Sequence, residues 1–109
     1  MAIGPITFDG QSGQKYLFQM YTLDTVFNAV GAVYVMLHSY QKPDGWYANP
    51  IYFGETGDLS IRFTNHHRQA CFDRNKVNCV GIHVDEDEKS RRAKETDLIR
   101  RWDPECNRQ

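Results

Sequence analysis

Runs of apolar residues divide the first half of the chain into predicted strands. Two short extended pieces, Ile6 to Phe8 and Lys15 to Tyr21, flank a glycine-rich turn at Gly10 to Gly13, which predicts a β-hairpin. Val30 to Leu37 is almost continuously apolar and of strand length, which is typical of a central strand. Ile51 to Gly54 predicts a second strand that pairs antiparallel with it.

Helical periodicity begins after that second strand. Thr56 or Asp58 can cap a helix, because a side-chain oxygen there can accept a hydrogen bond from the first turn. Leu59, Phe63 and Ala70 then recur at helical intervals, and the opposite face is polar. We therefore expect one helix through this segment.

The last third of the chain predicts a strand and then a longer helix. Val77 to Val84 is the strand, and Asp85 with Glu88 forms a capping pair for a helix from about Glu86 to Trp102. Pro104 ends this helix. The order β, β, β, β, α, β, α predicts an α+β domain with a small, mostly antiparallel sheet flanked by helices.

A polar segment separates the two central strands. Ser39 to Asn49 contains Pro43 and Gly45, which predicts a loop. Lys42 and Trp46 lie in it, and such a mixture of basic and aromatic residues can stack on nucleic acid. A hydrophobic cap over the sheet is an equally good interpretation.

Length and charge limit the class of protein. A chain of 109 residues, 40% apolar and 25% charged, is sufficient for one globular domain with one core. The formal charge of −1 argues against a domain that coats nucleic acid by charge alone. Acidic residues are concentrated at 85–88 and basic residues at 62–76 and 91–101, so one face can be locally positive.

The cysteines and the N-terminus bear on the compartment. Three irregularly spaced cysteines, Cys71, Cys79 and Cys106, favour reduced thiols over a disulfide framework. Residues 1–14 lack the basic start and apolar stretch of a signal peptide, and no apolar run is long enough to cross a membrane. We therefore expect a cytoplasmic protein without a membrane partner.

A zinc site is a weak hypothesis for this chain. Structural zinc ligands usually occur in pairs separated by two to four residues, a spacing that the histidines and cysteines here do not repeat. The residues that such a site would draw on are His66, His67, Cys71, Cys79 and His83. Buried thiols with surface histidines are the simpler interpretation.

Residues suited to phosphate chemistry occur on several predicted elements. Tyr34 and Tyr52 lie on the two central strands, and Glu95 lies on the last helix. Arg62 and His66 are four residues apart, which predicts that they share one face of the helix between them. Taken singly, each is more often structural: a half-buried strand tyrosine, an exposed polar face or an intrahelical ion-pair partner. Only their joint occurrence favours a site.

The segment from Tyr52 to His66 resembles the second half of the GIY-YIG nuclease signature. The matching positions are Tyr52, Gly54, Thr56, Leu59, Arg62 and His66. Further on, Glu95, Pro104 and Asn107 resemble the closing motif of that family in the same order. The resemblance covers about Gly31 to Asn107, so it divides the single domain into a nuclease-like core at residues 30–109 and an N-terminal hairpin extension at residues 1–29.

The first motif departs from the family pattern. It reads Ala32-Val33-Tyr34 where the family has Gly-Ile-Tyr, and Gly31 lies one place early. Phe53 replaces the usual isoleucine, which exchanges one apolar core residue for another. The segment between the two tyrosines is longer than in the shortest members. These departures concern the hairpin rather than the chemistry.

The resemblance implies a role for each matching residue. Tyr34 would be the general base, Arg62 would bind the phosphate, and Glu95 would hold one Mg²⁺ or Mn²⁺ ion. A phenol is a poor base at neutral pH, so Tyr34 requires a nearby cation. The supporting catalytic groups would be Tyr52, His66 and Asn107. The expected substrate-binding positions are Gly54, Thr56, Lys42 and Trp46.

These roles predict a divalent-metal-dependent endonuclease that hydrolyses phosphodiester bonds in DNA, with structured or modified DNA among the expected substrates. The chain has no room for a separate DNA-binding domain, so specificity would come from a partner protein or a homodimer. A catalytically silent nucleic-acid-binding or regulatory module of the same fold is the main alternative. A further alternative is a structural interaction domain whose basic helix faces bind an acidic protein.

Overall fold

The strands occur in the predicted order, but two short helices follow the fourth strand where one helix was predicted. The structure, a computed structural model, describes residues 1–63 and 66–108. The strands are β1 Ala2–Asp9, β2 Lys15–Thr22, β3 Ala32–Lys42, β4 Gly45–Thr56 and β5 Cys79–Val84. The helices are α1 Leu59–Arg62, α2 Gln69–Arg74, α3 Glu88–Trp102 and a 3₁₀ helix Glu105–Asn107. The α+β class and the N-terminal hairpin are therefore confirmed.

All five strands form one antiparallel sheet in the order β1-β2-β5-β3-β4. The last strand in sequence, β5, lies in the middle and joins the N-terminal hairpin to the β3–β4 hairpin. β3 is paired on both sides, as its apolar run predicts. β4 is an edge strand, so half of its backbone groups need partners outside the sheet.

Alternation along β3 gives the sheet two apolar faces. Val33 and Val35 point into a core that includes Phe18, Phe53 and Leu98 of α3. The intervening residues of β3 point to the other face, into a second core covered by α1 and α2. That second core includes Ala32, Tyr34, Met36, Tyr52, Leu59, Phe72, Val80 and Ile82. The candidate tyrosines thus belong to the face covered by the two short helices.

Helix α3 begins two residues later than predicted. Its N-cap is Asp87, whose carboxylate accepts a hydrogen bond from the Ser90 backbone N–H at 3.1 Å. The predicted capping residue, Asp85, instead pairs with Lys94 at 2.9 Å. The helix ends at Trp102, and its C-cap residue, Asp103, adopts a left-handed conformation directly before Pro104.

Asp97 of α3 fixes the helix against the N-terminal hairpin. Its carboxylate accepts hydrogen bonds from the hydroxyls of Ser12 and Tyr16, both at 2.7 Å. The indole of Trp102 donates to the Asp9 carbonyl at 2.8 Å. Because both ends of the hairpin turn bind α3, the helix that carries Glu95 is held in place by residues outside the nuclease-like motif.

The predicted loop at Ser39 to Asn49 is wrong. β3 and β4 continue through it and pair in register as far as Lys42 and Gly45, so the turn is short. Tyr40 and Tyr47 stack across the two strands with ring centroids 5.8 Å apart. Cross-strand aromatic pairs stabilise a hairpin, which explains why the strands extend into a polar segment.

The single helix predicted after β4 is also wrong. Asp58 caps it as expected, accepting from the Ser60 backbone N–H at 2.9 Å, but α1 ends at Arg62. A separate short helix, α2, follows from Gln69. Residues 64 and 65 of the predicted helix lie outside the described residues. His66 is not in a helix, so the one-face argument for Arg62 and His66 does not hold.

The expectation of three reduced thiols is wrong as well. Cys71 of α2 and Cys106 of the 3₁₀ helix form a disulfide, with Cα atoms 5.8 Å apart. Cys79 is a free, buried thiol. Because its sulfur is in the disulfide, Cys71 is not available as a ligand for the hypothetical zinc site. The disulfide also removes the cysteine-based argument for a reducing compartment, since disulfides persist mainly in oxidising ones.

Within residues 1–63 and 66–108, no helix is long and apolar enough to cross a membrane.

Candidate functional site

Tyr34 lies at the centre of the candidate site. Its side chain is 0% exposed, and its hydroxyl is 2.8 Å from Nε2 of His66. Gly54, its cross-strand partner on β4, leaves room for the ring, because a Cβ there would overlap Cζ and the hydroxyl of Tyr34. The glycine of the Tyr-x-Gly motif therefore accommodates the tyrosine of the preceding strand.

The second nitrogen of His66 determines the direction of the hydrogen bond to Tyr34. The backbone N–H of Arg68 donates to Nδ1 of His66 at 3.0 Å, so Nδ1 acts as an acceptor. Burial, with the charge of Arg62, lowers the pKa of His66 from 6.5 to about 4, so the ring is neutral near pH 7. The proton of a neutral ring is then on Nε2, which donates to the Tyr34 oxygen.

Arg62 provides positive charge beside the two tyrosines. Its guanidinium carbon lies 5.7 Å from the centre of the Tyr34 ring. Burial raises the pKa of Tyr34 well above its usual value, and the neighbouring Tyr52 adds to this, whereas Arg62 acts in the opposite direction. Arg62 has the same lowering effect on the pKa of Tyr52. The arginine thus favours the phenolate form of either ring.

Tyr52 packs between the site and α2. Its ring lies 6.1 Å from that of Tyr34 and 5.2 Å from that of His66, measured between centroids. Burial raises its pKa, and the charge of Glu95 adds to the increase. Glu95 itself belongs to α3, which packs mainly on the opposite face of the sheet.

Glu95 is a half-buried carboxylate at the β4 edge. Burial and the neighbouring Glu55 carboxylate raise its pKa, while Arg92 and Arg62 act in the opposite direction. Arg91 pairs with Glu55, and Arg92 pairs with Glu88. Among the described residues, Glu95 forms no salt bridge. An ion pair within α3 would have been a purely structural explanation for Glu95, and among the described residues no such pair is present.

Asn107 completes the edge of β4. Its side-chain amide donates to the Phe53 carbonyl at 2.9 Å, and its oxygen accepts from the Phe53 N–H at 2.8 Å. The asparagine thus replaces a missing neighbouring strand between Tyr52 and Gly54. This contact gives the terminal asparagine of the motif a positioning role.

Arg91 and Glu55 belong to the site's support but were not predicted. Arg91 is 6% exposed, and its Nε lies 2.9 Å from the Glu55 carboxylate. It also donates to the Asp85 carbonyl at 3.1 Å, which connects β4, α3 and the end of β5. A side chain at Gly31 would overlap this guanidinium, which explains the displaced glycine of the first motif.

Three of the expected substrate-binding residues lie elsewhere or have other contacts. Thr56 accepts from the Asp58 N–H at 3.1 Å and so stabilises the turn before α1. Trp46 is exposed on the other face of the sheet, beside Met20 and Ala48. Lys42 lies over the Tyr40 and Tyr47 rings at the tip of the hairpin, roughly 26 Å along β3 from Tyr34 at about 3.3 Å per residue.

Tyr34, Tyr52, Arg62 and His66 are thus brought together, with Glu95 and Asn107 at the adjacent strand edge. Within the part of the chain that the structure describes, no three His, Cys, Asp or Glu side chains are grouped closely enough to hold a metal ion. Glu95 could serve only as a single protein ligand, with water and substrate oxygens completing the coordination.

The comparisons with known proteins do not identify a relative. No protein-family model matches the chain, and no curated protein or solved structure does. The resemblance to GIY-YIG nucleases therefore stays a prediction from the motif residues.

Proposed function

We propose that the chain is a divalent-metal-dependent endonuclease that hydrolyses phosphodiester bonds in DNA. The observation that carries the proposal is the grouping of Tyr34, Arg62 and Glu95. These side chains come from β3, α1 and α3. The guanidinium carbon of Arg62 lies 5.7 Å from the centre of the Tyr34 ring, and the charge of Arg62 acts to lower the pKa of both Tyr34 and Glu95. Hydrolysis of a phosphodiester needs a base, a cation on the phosphoryl oxygens and stabilisation of the leaving oxygen.

Tyr34 is the proposed base: its phenolate, formed when the hydroxyl proton is released to solvent, takes the proton from the attacking water and becomes the phenol again. Burial opposes this role because it raises the tyrosine pKa. Two contacts favour it: the Arg62 guanidinium nearby, and the hydrogen bond from His66 Nε2 to the phenolic oxygen at 2.8 Å. Since His66 donates to that oxygen, the hydroxyl proton of Tyr34 is directed away from the histidine. Tyr52 borders the same space.

Arg62 is the proposed phosphate ligand, because its forked guanidinium matches phosphate oxygens and stays charged at any working pH. Glu95 would hold Mg²⁺ or Mn²⁺. Its carboxylate is half-buried and forms no salt bridge among the described residues, so it is available to a cation. The ion, when bound, would stabilise negative charge on the leaving oxygen.

The alternative is a silent nucleic-acid-binding module. A specific observation favours it: Tyr34 has no exposed surface, so a water molecule could reach its oxygen only after Tyr52, Arg62 or His66 moved. Cleavage therefore requires a rearrangement on substrate binding, whereas simple binding does not.

A nicking assay separates the two functions. Supercoiled plasmid is incubated with protein and Mg²⁺ or Mn²⁺, and Glu95→Gln and Tyr34→Phe are compared with Glu88→Gln. Glu88 is an exposed carboxylate on the same helix and serves as the matched control. We expect nicking to fall about 100-fold or more in the first two variants and to be unchanged in the control. DNA binding without nicking by the wild-type protein would support the silent module.

A further inference from the structure

A positively charged cavity lies beside the candidate site. It has a volume of about 310 Å³ and lies between α2 and the 3₁₀ helix. Three arginines line it: Arg68, Arg74 and Arg108. The disulfide between Cys71 and Cys106 joins its two walls, so the arginines are held around a covalently linked frame.

One of these arginines has an unused donor. The Nε atom of Arg68 is buried and has no hydrogen-bond partner among the described residues. A buried guanidinium N–H without a partner is costly, which makes it a candidate for an external acceptor. Arg68 and Arg74 also form no salt bridge within residues 1–63 and 66–108.

The acidic residue of the cavity neutralises only part of this charge. Glu105 lies 3.8 Å from Arg108, which also pairs with Asp103 at 3.1 Å. One carboxylate in the lining therefore faces three guanidinium groups. The amide of Asn75 donates to the Cys71 carbonyl at 2.9 Å and stabilises the end of α2 beside the cavity.

Arg68 connects this cavity with the candidate catalytic residues. Its backbone N–H donates to Nδ1 of His66, and its charge lowers the pKa of Tyr52. Arg62 and Arg68 thus both lie around His66, so we expect a DNA strand with one phosphate at Arg62 to bring a neighbouring phosphate to the arginine cavity. Arginine forks match phosphate oxygens better than they match any neutral group.

We propose that the cavity lined by Arg68, Arg74 and Arg108 binds a backbone phosphate of the DNA substrate that flanks the phosphate to be cleaved. This inference rests on the proposed function, since it names a second contact for the same substrate. The contact is independent of sequence, and it sets the register of the strand across the site.

Salt dependence of DNA binding tests the proposal. Binding of a labelled DNA duplex is measured in EDTA, without divalent ions, over a series of salt concentrations. The test protein is the cavity double variant, Arg74→Gln with Arg108→Gln. The control is a second double variant, Arg92→Gln with Arg100→Gln, which removes the same amount of charge from the exposed face of α3. Each lost phosphate contact lowers the slope of log K against log salt by about 0.9.

We expect the cavity double variant to lose about 0.9 units of slope and about tenfold in affinity at 0.1 M salt, with the α3 variant unchanged. Equal losses in both variants, or no loss in the cavity variant, would overturn the proposal. Failure of the wild-type protein to bind DNA would overturn it too.

Inorganic phosphate provides an independent measurement. In ¹⁵N-labelled protein, we expect a saturable shift of the Arg68 Nε–H resonance that disappears in the cavity double variant. If the shift does not saturate, or if the Arg100 Nε–H resonance shifts equally, the cavity is not a specific phosphate site. The two proposals can also fail separately. If the wild type nicks DNA but the cavity double variant has the wild-type salt slope, only the phosphate-cavity proposal is overturned. If the slope changes in that variant but the wild type does not nick DNA, only the nuclease proposal is overturned.

Discussion

His66 donates a hydrogen bond from Nε2 to the hydroxyl of Tyr34, 2.8 Å away, because its Nδ1 is already occupied as an acceptor of the Arg68 N–H. A protonated ring would carry a hydrogen on Nδ1 and lose that acceptor. The neutral state of His66 is therefore part of the structure of the site, and it should be measurable through pH.

Stability should fall as the pH drops below the ordinary histidine range. The pKa of His66 is about 4 in the folded chain and 6.5 ordinarily, so the unfolded chain binds the extra proton first. Its contribution is fully present above pH 6.5 and is lost as the pH falls towards about 4, by up to about 3 kcal/mol. Urea unfolding at several pH values measures this loss.

The variant His66→Asn isolates the effect. An asparagine oxygen can still accept from the Arg68 N–H, but the residue does not titrate. His67, with a lowered pKa, and Glu95, with a raised pKa, contribute in both proteins and cancel in the difference. A wild-type pH profile that runs parallel to that of the variant between pH 6.5 and 4 would show that His66 does not have a depressed pKa.

Gly54 should not tolerate a side chain. A Cβ at this position overlaps the Tyr34 ring, whereas a Cβ at Gly57 would meet only Arg91 Nη2 at an ordinary 3.5 Å. We expect Gly54→Ala to cost about 1–3 kcal/mol and to lower Tm by roughly 10 °C. Gly57→Ala is the matched control. Equal melting temperatures for Gly54→Ala and the wild type would mean that the two strands can separate without cost.

The strands were predictable because their cause is local. The apolar run at Val30 to Leu37 and the hairpin near the N-terminus depend only on residues adjacent in sequence. The position of β5 between β2 and β3 was not predicted, since pairing partners depend on the whole sheet. The antiparallel pairing of β3 with β4 was predicted, but its continuation through Ser39 to Asn49 was missed, because cross-strand stacking of Tyr40 on Tyr47 outweighs the polar turn residues.

The candidate site also divides into features that the local sequence predicts and contacts that depend on residues distant in sequence. The motif spacing named Tyr34, Arg62 and His66, which do lie together, although the helix invoked to join the last two is interrupted. The Arg91–Glu55 pair and the Cys71–Cys106 bond join residues distant in sequence, and no spacing rule indicates them. Such partners become visible only in three dimensions.

Reduction of the disulfide should destabilise the chain. Cys71 and Cys106 are 35 residues apart, and closing a loop of that length restricts the unfolded state by about 3–4 kcal/mol. We expect dithiothreitol to lower Tm of the wild type but not of Cys71→Ser with Cys106→Ser. Alkylation and mass measurement under non-reducing conditions check the bond directly: one modified cysteine, Cys79, is expected after unfolding, and three would contradict the pairing.

Removing the Asn107 side chain should open the edge of β4. The amide bonds both the N–H and the carbonyl of Phe53, so Asn107→Ala leaves two backbone groups without protein partners. We expect a loss of about 1–3 kcal/mol and faster hydrogen exchange at the Phe53 amide. Asn107→Asp keeps the acceptor but places a second oxygen against the Phe53 carbonyl, so the amide should stay protected while stability falls. If Phe53 exchanges at the wild-type rate in Asn107→Ala, the side chain does not hold the strand edge, and its positioning role next to Tyr52 and Gly54 is lost.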